Sequence, residues 1–113
     1  MDVLVIDDDR LALRATARVL TAAGHHVRSA DNMNHAGHIL AYSAYQAIVS
    51  DQDLVGTDSG AKTVASFLRP KLRSPALVVM YTGNPNDARR DAPSDAVIVT
   101  KPHIDEVVRA LQG

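Results

Sequence analysis

An α/β fold built on a five-stranded parallel sheet is the architecture this sequence predicts, and three observations carry it. Short apolar, β-branched runs at Val3–Ile6, Tyr45–Ser50, Ala76–Tyr81 and Ala96–Val99 recur along the chain, with helical patterns between them. The runs are apolar at consecutive positions rather than at alternate ones, which marks strands buried on both faces of a parallel sheet. The connections are short, so right-handed crossovers place helices over both faces of that sheet. The chain has 113 residues, enough for one core and too few for two. Residues 1–113 are therefore read as a single domain, with no linker, internal repeat or low-complexity tract.

Taken in order, the first strand is Val3-Leu4-Val5-Ile6, which runs into Asp7, Asp8 and Asp9. Asp8 or Asp9 can cap the next helix, because a carboxylate accepts the free N–H groups of a first turn. That helix is predicted from about Arg10 to Ala23, with Leu13, Ala17 and Leu20 on one face and Leu11 and Val19 on its flanks. Gly24 follows as the residue that takes a left-handed conformation at the helix end. His25–Ala30 is a weaker strand. Asp31 or Asn32 then caps a helix over Met33–Tyr42, with Ala36, Ile39 and Leu40 inward.

The third strand, Tyr45–Ser50, ends at Asp51. A loop rich in turn formers (Gly56, Asp58, Ser59, Gly60) leads to a helix over about Ala61–Leu68 that presents Val64, Ala65 and Leu68. Pro70 and Pro75 bound its exit. Ala76–Tyr81 is the fourth strand and ends at Thr82. Gly83–Asn86 is a turn, and a short polar helix is expected over Asp87–Asp91. Ala96–Val99 is the last strand and ends at Thr100-Lys101-Pro102. His103–Leu111 closes the chain as a helix with Val107, Val108 and Leu111 inward.

Composition narrows the function classes. The formal net charge is -1, which leaves no basic excess for direct nucleic-acid binding. There is no cysteine, so disulfides, thiol catalysis and cysteine-held metal are excluded. No apolar run reaches membrane-spanning length, so no membrane insertion is expected. The N-terminus lacks a basic leader, and a cytoplasmic setting is expected.

Four strands end in a group suited to phosphate chemistry: Asp7 and Asp8, Asp51, Thr82, and Lys101. In a parallel sheet all strand C-termini share one edge, so these residues are predicted to converge. Three carboxylates in one place repel and raise one another's pKa values, and a divalent cation relieves this. Oxygen-only ligands suit Mg²⁺. Asp8 and Asp51 are assigned as direct ligands and the backbone carbonyl of Asp53 as a third, with Asp7 acting directly or through water. Asp51 is then the nucleophile that attacks phosphorus and becomes an aspartyl phosphate. Lys101 and the Thr82 hydroxyl stabilise the equatorial oxygens. Each residue alone is an ordinary turn or surface residue; the joint placement at four strand ends carries the reading.

With those residues in view, the chain resembles the receiver domain of two-component response regulators along its whole length. The matching segments are Val5-Ile6-Asp7-Asp8-Asp9, Ile48-Val49-Ser50-Asp51 with Leu54-Val55-Gly56, Val79-Met80-Tyr81-Thr82-Gly83, and Thr100-Lys101-Pro102. The resemblance implies a flavodoxin-like three-layer fold with strand order 2-1-3-4-5, an order that a chemotaxis receiver exemplifies. It also implies a cis peptide before Pro102, and a phosphoryl donor that is a phosphohistidine on a sensor histidine kinase or a histidine phosphotransfer protein. Asp53 and Asn84 fall at positions that tune phosphoryl lifetime. A domain of this kind is not an enzyme; it catalyses only its own phosphorylation and dephosphorylation. A homodimer is compatible with it, as is an origin as a stand-alone receiver or as a piece of a hybrid protein.

The sequence departs from the family pattern in four places. Val55 stands where a proline is usual, and the loop glycine comes one residue late, at Gly60. This variant looks like receivers attached to hybrid sensor kinases. Ile98 occupies the position of the switch aromatic, so the usual paired motion of a threonine and an aromatic ring cannot occur as such. His103 replaces a common phenylalanine. Tyr81 adjoins Thr82, but its strand parity points it the other way.

Two other functions compete. Asp51-Gln52-Asp53-Leu54-Val55 also looks like the nucleophile motif of haloacid-dehalogenase-type phosphatases, whose nucleophile, however, follows the first strand. A phosphorylation-independent receiver-like binding module is the other. His35 and His38 have the spacing of a zinc pair but are read as a solvated face, as is Arg89-Arg90, with kinase docking the alternative for the arginines. Tyr42 and Tyr45 are expected to pack at a helix–strand join.

Overall fold

The structure is a computed structural model that describes residues 1–54, 59–71 and 77–112. Five strands form one parallel sheet in the order β2-β1-β3-β4-β5. They are β1 (Asp2–Ile6), β2 (His26–Ala30), β3 (Ala47–Ser50), β4 (Leu77–Thr82) and β5 (Val97–Thr100). This is the flavodoxin-like order that the resemblance implied.

Helices cover both faces because both faces of the central strands are apolar. Val3, Leu4, Val5 and Ile6 are all buried, as are Ala47 to Ser50. On one side Leu4, Ile6, Ile48, Val78 and Met80 pack against α2 (Met33–Tyr42), the segment after residue 59 and α4 (Pro85–Asp91). On the other side Val3, Val5, Val49, Val79 and Tyr81 pack against α1 (Arg10–Ala22) and α5 (Ile104–Leu111). Each fully buried Leu, Ile or Val contributes roughly 1.5–3 kcal/mol.

The helix ends follow local chemistry. The Asp9 carboxylate caps α1 by accepting from the amides of Leu11 and Ala12. Gly24 takes φ +98°, the left-handed region that closes the helix. The Asn32 side chain caps α2 by accepting from the His35 amide.

Several expectations need correction. The inward face of α1 buries Thr16 beside Leu13 and Leu20, while Ala17 is only half-buried and Leu11 is exposed. Strand β3 starts at Ala47 rather than Tyr45. Tyr45 does pack in the core, but Tyr42 is 80% exposed and lies edge-on to the exposed His38 ring. Helix α4 begins at Pro85, two residues earlier than expected, because proline suits a first helical position.

The segment expected as one helix over 61–68 is composite: α3 (Gly60–Thr63), a π-helical turn (Val64–Leu68), and a 3₁₀ turn (Arg69–Lys71). Thr63 Oγ1 donates to the Ser59 carbonyl and Ser66 Oγ donates to the Lys62 carbonyl. Such back-bonded hydroxyls compete with the backbone ladder and bend helices. The expectations for Val55, Gly56, Asp58, Pro75 and Ala76 fall outside the described residues. Among the described residues no helix is long and apolar enough to cross a membrane.

Candidate functional site

Register brings the predicted residues together. Ile6 of β1 lies beside Ser50 of β3, so Asp7 and Asp51 leave the sheet side by side. Thr82 of β4 lies beside Thr100 of β5, and the Lys101 amide donates to the Thr82 carbonyl. One carboxylate oxygen from each of Asp7, Asp8 and Asp51 lies within 4.8 Å of the others. An all-oxygen set at that spacing fits a hard divalent cation.

Lys101 reaches into this cluster. Its Nζ donates to Asp7 Oδ2 at 2.7 Å and to Asp51 Oδ2 at 3.3 Å. The Lys101–Pro102 peptide is cis. The ammonium also lies 5.7 Å from the Tyr81 ring centroid, within cation–π range. Tyr81 belongs to the opposite core layer from its neighbour Met80.

The remaining carboxylate oxygens are held by backbone amides. Asp7 Oδ1 accepts from the Asp9 amide at 2.9 Å, and Asp51 Oδ1 accepts from the Gln52 amide at 2.7 Å. Burial pushes the Asp7 carboxyl above its ordinary pKa, against the opposing hydrogen bonds from Lys101 and the Asp9 amide. The Asp51 charge adds to that rise but is the smallest contribution, so desolvation leads the mutual repulsion expected from sequence. Burial opposes the Lys101 charge too, but the Asp7 hydrogen bond and the nearby Asp51 carboxylate outweigh it and hold the ammonium above the usual lysine value.

Other predicted residues sit apart from this cluster. Thr82 is fully buried, and its Oγ1 accepts from the Asn84 amide at 2.9 Å. Among the described residues no hydrogen bond joins it to the carboxylates. The Asn84 side chain donates to Asp87 Oδ2 at 2.7 Å, within its own helix start. Asp53 is exposed. Ile98 pairs in register with Met80 and packs, half-buried, against the same core layer. His35, His38, Arg89 and Arg90 are exposed, as the solvated-face reading holds. A cavity of about 460 Å³ at the opposite edge of the sheet, between His25, Arg28 and Tyr45, contains none of the predicted site residues.

Sequence reasoning missed one feature. Gln52, next to Asp51, is buried, and its Nε2 donates to the buried Ser59 Oγ at 2.8 Å. The position of Gly60 now has a cause. A Cβ there would collide with the Asp51 carbonyl oxygen and stand 2.8 Å from that of Gln52. A glutamine, a residue seldom buried, directly after a buried strand end was the available signal.

Comparison with known proteins agrees with this geometry. The sequence matches the response regulator receiver domain family over residues 3–112, so the chain belongs to that family. No curated protein matches it. A response regulator of Burkholderia pseudomallei, solved with a phosphorylated aspartic acid, a calcium ion and citrate, is 28% identical with a TM-score of 0.76. The match covers 98% of this chain and 66% of that one, so the chain spans just under two thirds of that protein's length. A receiver protein of Sinorhizobium medicae shares the fold at 22% identity and TM-score 0.86, covering 99% and 91% of the two chains. A Thermotoga maritima response regulator, solved in complex with Mg²⁺ and BeF, shares it at 23% identity and TM-score 0.80, covering 98% and 96%. The chain is thus a receiver domain of two-component signal transduction.

Proposed function

We propose that Asp51 is the phosphoacceptor of this receiver, and that residues 1–113 form one such domain. One observation carries the reading: Lys101 bonds both Asp7 and Asp51 within a cluster of three converging carboxylates. Asp8, Asp51 and the Asp53 carbonyl would hold Mg²⁺, with Asp7 direct or through water. When bound, Mg²⁺ supplies positive charge to the phosphoryl oxygens. An Asp51 carboxylate oxygen forms the new O–P bond while the bond from phosphorus to the donor imidazole breaks, and the leaving imidazole takes up a proton. Lys101 neutralises charge on the transferred oxygens, and the Thr82 hydroxyl, which accepts from Asn84, still has its O–H to donate to one of them. Asp53 and Asn84 flank the approach of hydrolytic water and tune phosphoryl lifetime.

The donor in this reading is a sensor histidine kinase or a histidine phosphotransfer protein, in the cytoplasm. The chemistry is performed on the protein itself and not on a released substrate. A phosphatase reading is weaker, because the nucleophile follows the third strand and the family match is to receivers.

Incubation with acetyl phosphate and Mg²⁺ tests the proposal. The wild-type chain gains one phosphoryl group by intact mass, and Asp51→Asn gains none. Equal labelling of Asp51→Asn would overturn the assignment.

A further inference from the structure

Gln52 lies between the two residues assigned as ligands and is fastened at three points. Its amide donates to Asp51 Oδ1 at 2.7 Å. Its carbonyl accepts from the Gly60 amide at 2.7 Å. Its side-chain Nε2 donates to Ser59 Oγ at 2.8 Å. Gln52 is 3% exposed and Ser59 5% exposed. Glutamine is seldom buried this deeply, and a buried carboxamide is costly unless its polar atoms are bonded.

Ser59 serves a second purpose. Its Oγ also accepts from the Lys62 amide at 3.1 Å, which caps α3, and its carbonyl accepts from the Thr63 amide and hydroxyl. The first turn of α3 is therefore tied to the residue between Asp51 and Asp53. Only glycine at position 60 allows the two backbones to come this close. The backbone at Gln52 cannot rotate without giving up these bonds, so the directions in which Asp51 and Asp53 leave it are set together. Groups that orient ligands in this way control metal affinity without touching the metal.

We propose that Gln52 and Ser59 are positioning residues of the acceptor site, their buried hydrogen bond holding Asp51–Asp53 in the conformation that binds Mg²⁺. The inference rests on the Mg²⁺ site proposed above. Its test is calorimetric titration of the full unphosphorylated chain with Mg²⁺, beside thermal melting in chelator. Gln52→Met preserves side-chain volume and Ser59→Ala removes only the hydroxyl.

Each is expected to weaken Mg²⁺ binding about 10-fold. The double variant should be no weaker than the worse single one, because both remove the same bond. Val64→Ala, a core truncation in the same segment, should lower the melting temperature at least as much while leaving the Mg²⁺ Kd within about twofold of wild type. Unchanged Kd values in Gln52→Met and Ser59→Ala would overturn the inference alone. So would an equal loss of affinity in Val64→Ala, which would assign the effect to stability. Failure of the wild-type chain to bind Mg²⁺ would overturn the inference together with the site it rests on.

Discussion

The acceptor edge and the α4–β5 flank are neighbours held together in different ways. At the acceptor edge, single polar bonds join distant parts of the chain: Lys101 reaches Asp7 and Asp51 across 94 and 50 residues. On the flank the ion pairs of Arg90 are local, with Asp87 and Asp91, and the longer-range Arg69–Asp95 pair lies at its edge. Beside the backbone ladder of β5 with β4, aliphatic packing of Ala92, Ala96 and Ile98 holds the flank against the core. The proposed chemistry therefore rests on a few long-range placements, whereas the flank rests more on side-chain packing. Ile98 brings no ring and no hydroxyl, and it lies in register with Met80 and not with Thr82.

The largest break in that contrast is expected from Lys101→Ala. It removes the ammonium from both carboxylates and should slow labelling by acetyl phosphate on the order of 100-fold, comparable to losing one charge-stabilising donor. Initial rates at saturating Mg²⁺ measure this. Gly60→Ala acts on the same edge through the backbone. Its new methyl meets main-chain atoms that cannot rotate away, so a loss of about 1–3 kcal/mol is expected by urea denaturation.

Ile98→Ala probes the other region. The residue is half-buried, so the expected cost is about 1 kcal/mol with an unchanged labelling rate. A labelling rate that fell with Ile98→Ala would erase the distinction between the two regions.

The smallest effect lies at the ion pair of Arg69 with Asp95, which ties the start of the 3₁₀ turn to the turn before β5. The Arg69 hydrogen bond holds the Asp95 carboxyl below its ordinary pKa. A depressed carboxyl contributes stability above its unfolded pKa and loses it as pH falls through the folded one. The melting temperatures of wild type and Asp95→Asn should thus differ slightly at neutral pH and converge in acid below the usual carboxyl range. Added salt should shrink the difference, because the pair is largely exposed.

The sheet and its edge were legible in the sequence because buried parallel strands are apolar at every position. The residue that ends each run then falls on a shared rim. Asp7, Asp51, Thr82 and Lys101 needed no more than that. The irregular segment after Gly60 was not legible. Val64 and Leu68 have a helical spacing, and the π turn accompanies the hydroxyls of Thr63 and Ser66, whose backbone bonding no periodicity reveals. Tyr42 and Tyr45 are alike in composition and opposite in burial, since one ends a helix facing solvent and the other enters a strand. The bond between Gln52 and Ser59 was hidden for a third reason. It joins two polar residues of one loop whose approach depends on the missing side chain at Gly60.

The Lys101 contacts have a consequence in charge balance. Three carboxylates converge at the acceptor edge, and one ammonium, that of Lys101, bonds two of them, Asp7 and Asp51. A divalent cation bound there would add its positive charge to the same cluster. In the proposed reaction, transfer of a phosphoryl group to Asp51 adds negative charge there, and Lys101 already lies within reach of it. A shift of Lys101 away from Asp7 and toward the new oxygens would take from Asp7 the hydrogen bond that now opposes the effect of its burial. The resting ion pair is thus a stored counter-charge that phosphorylation can redistribute without importing a second ion.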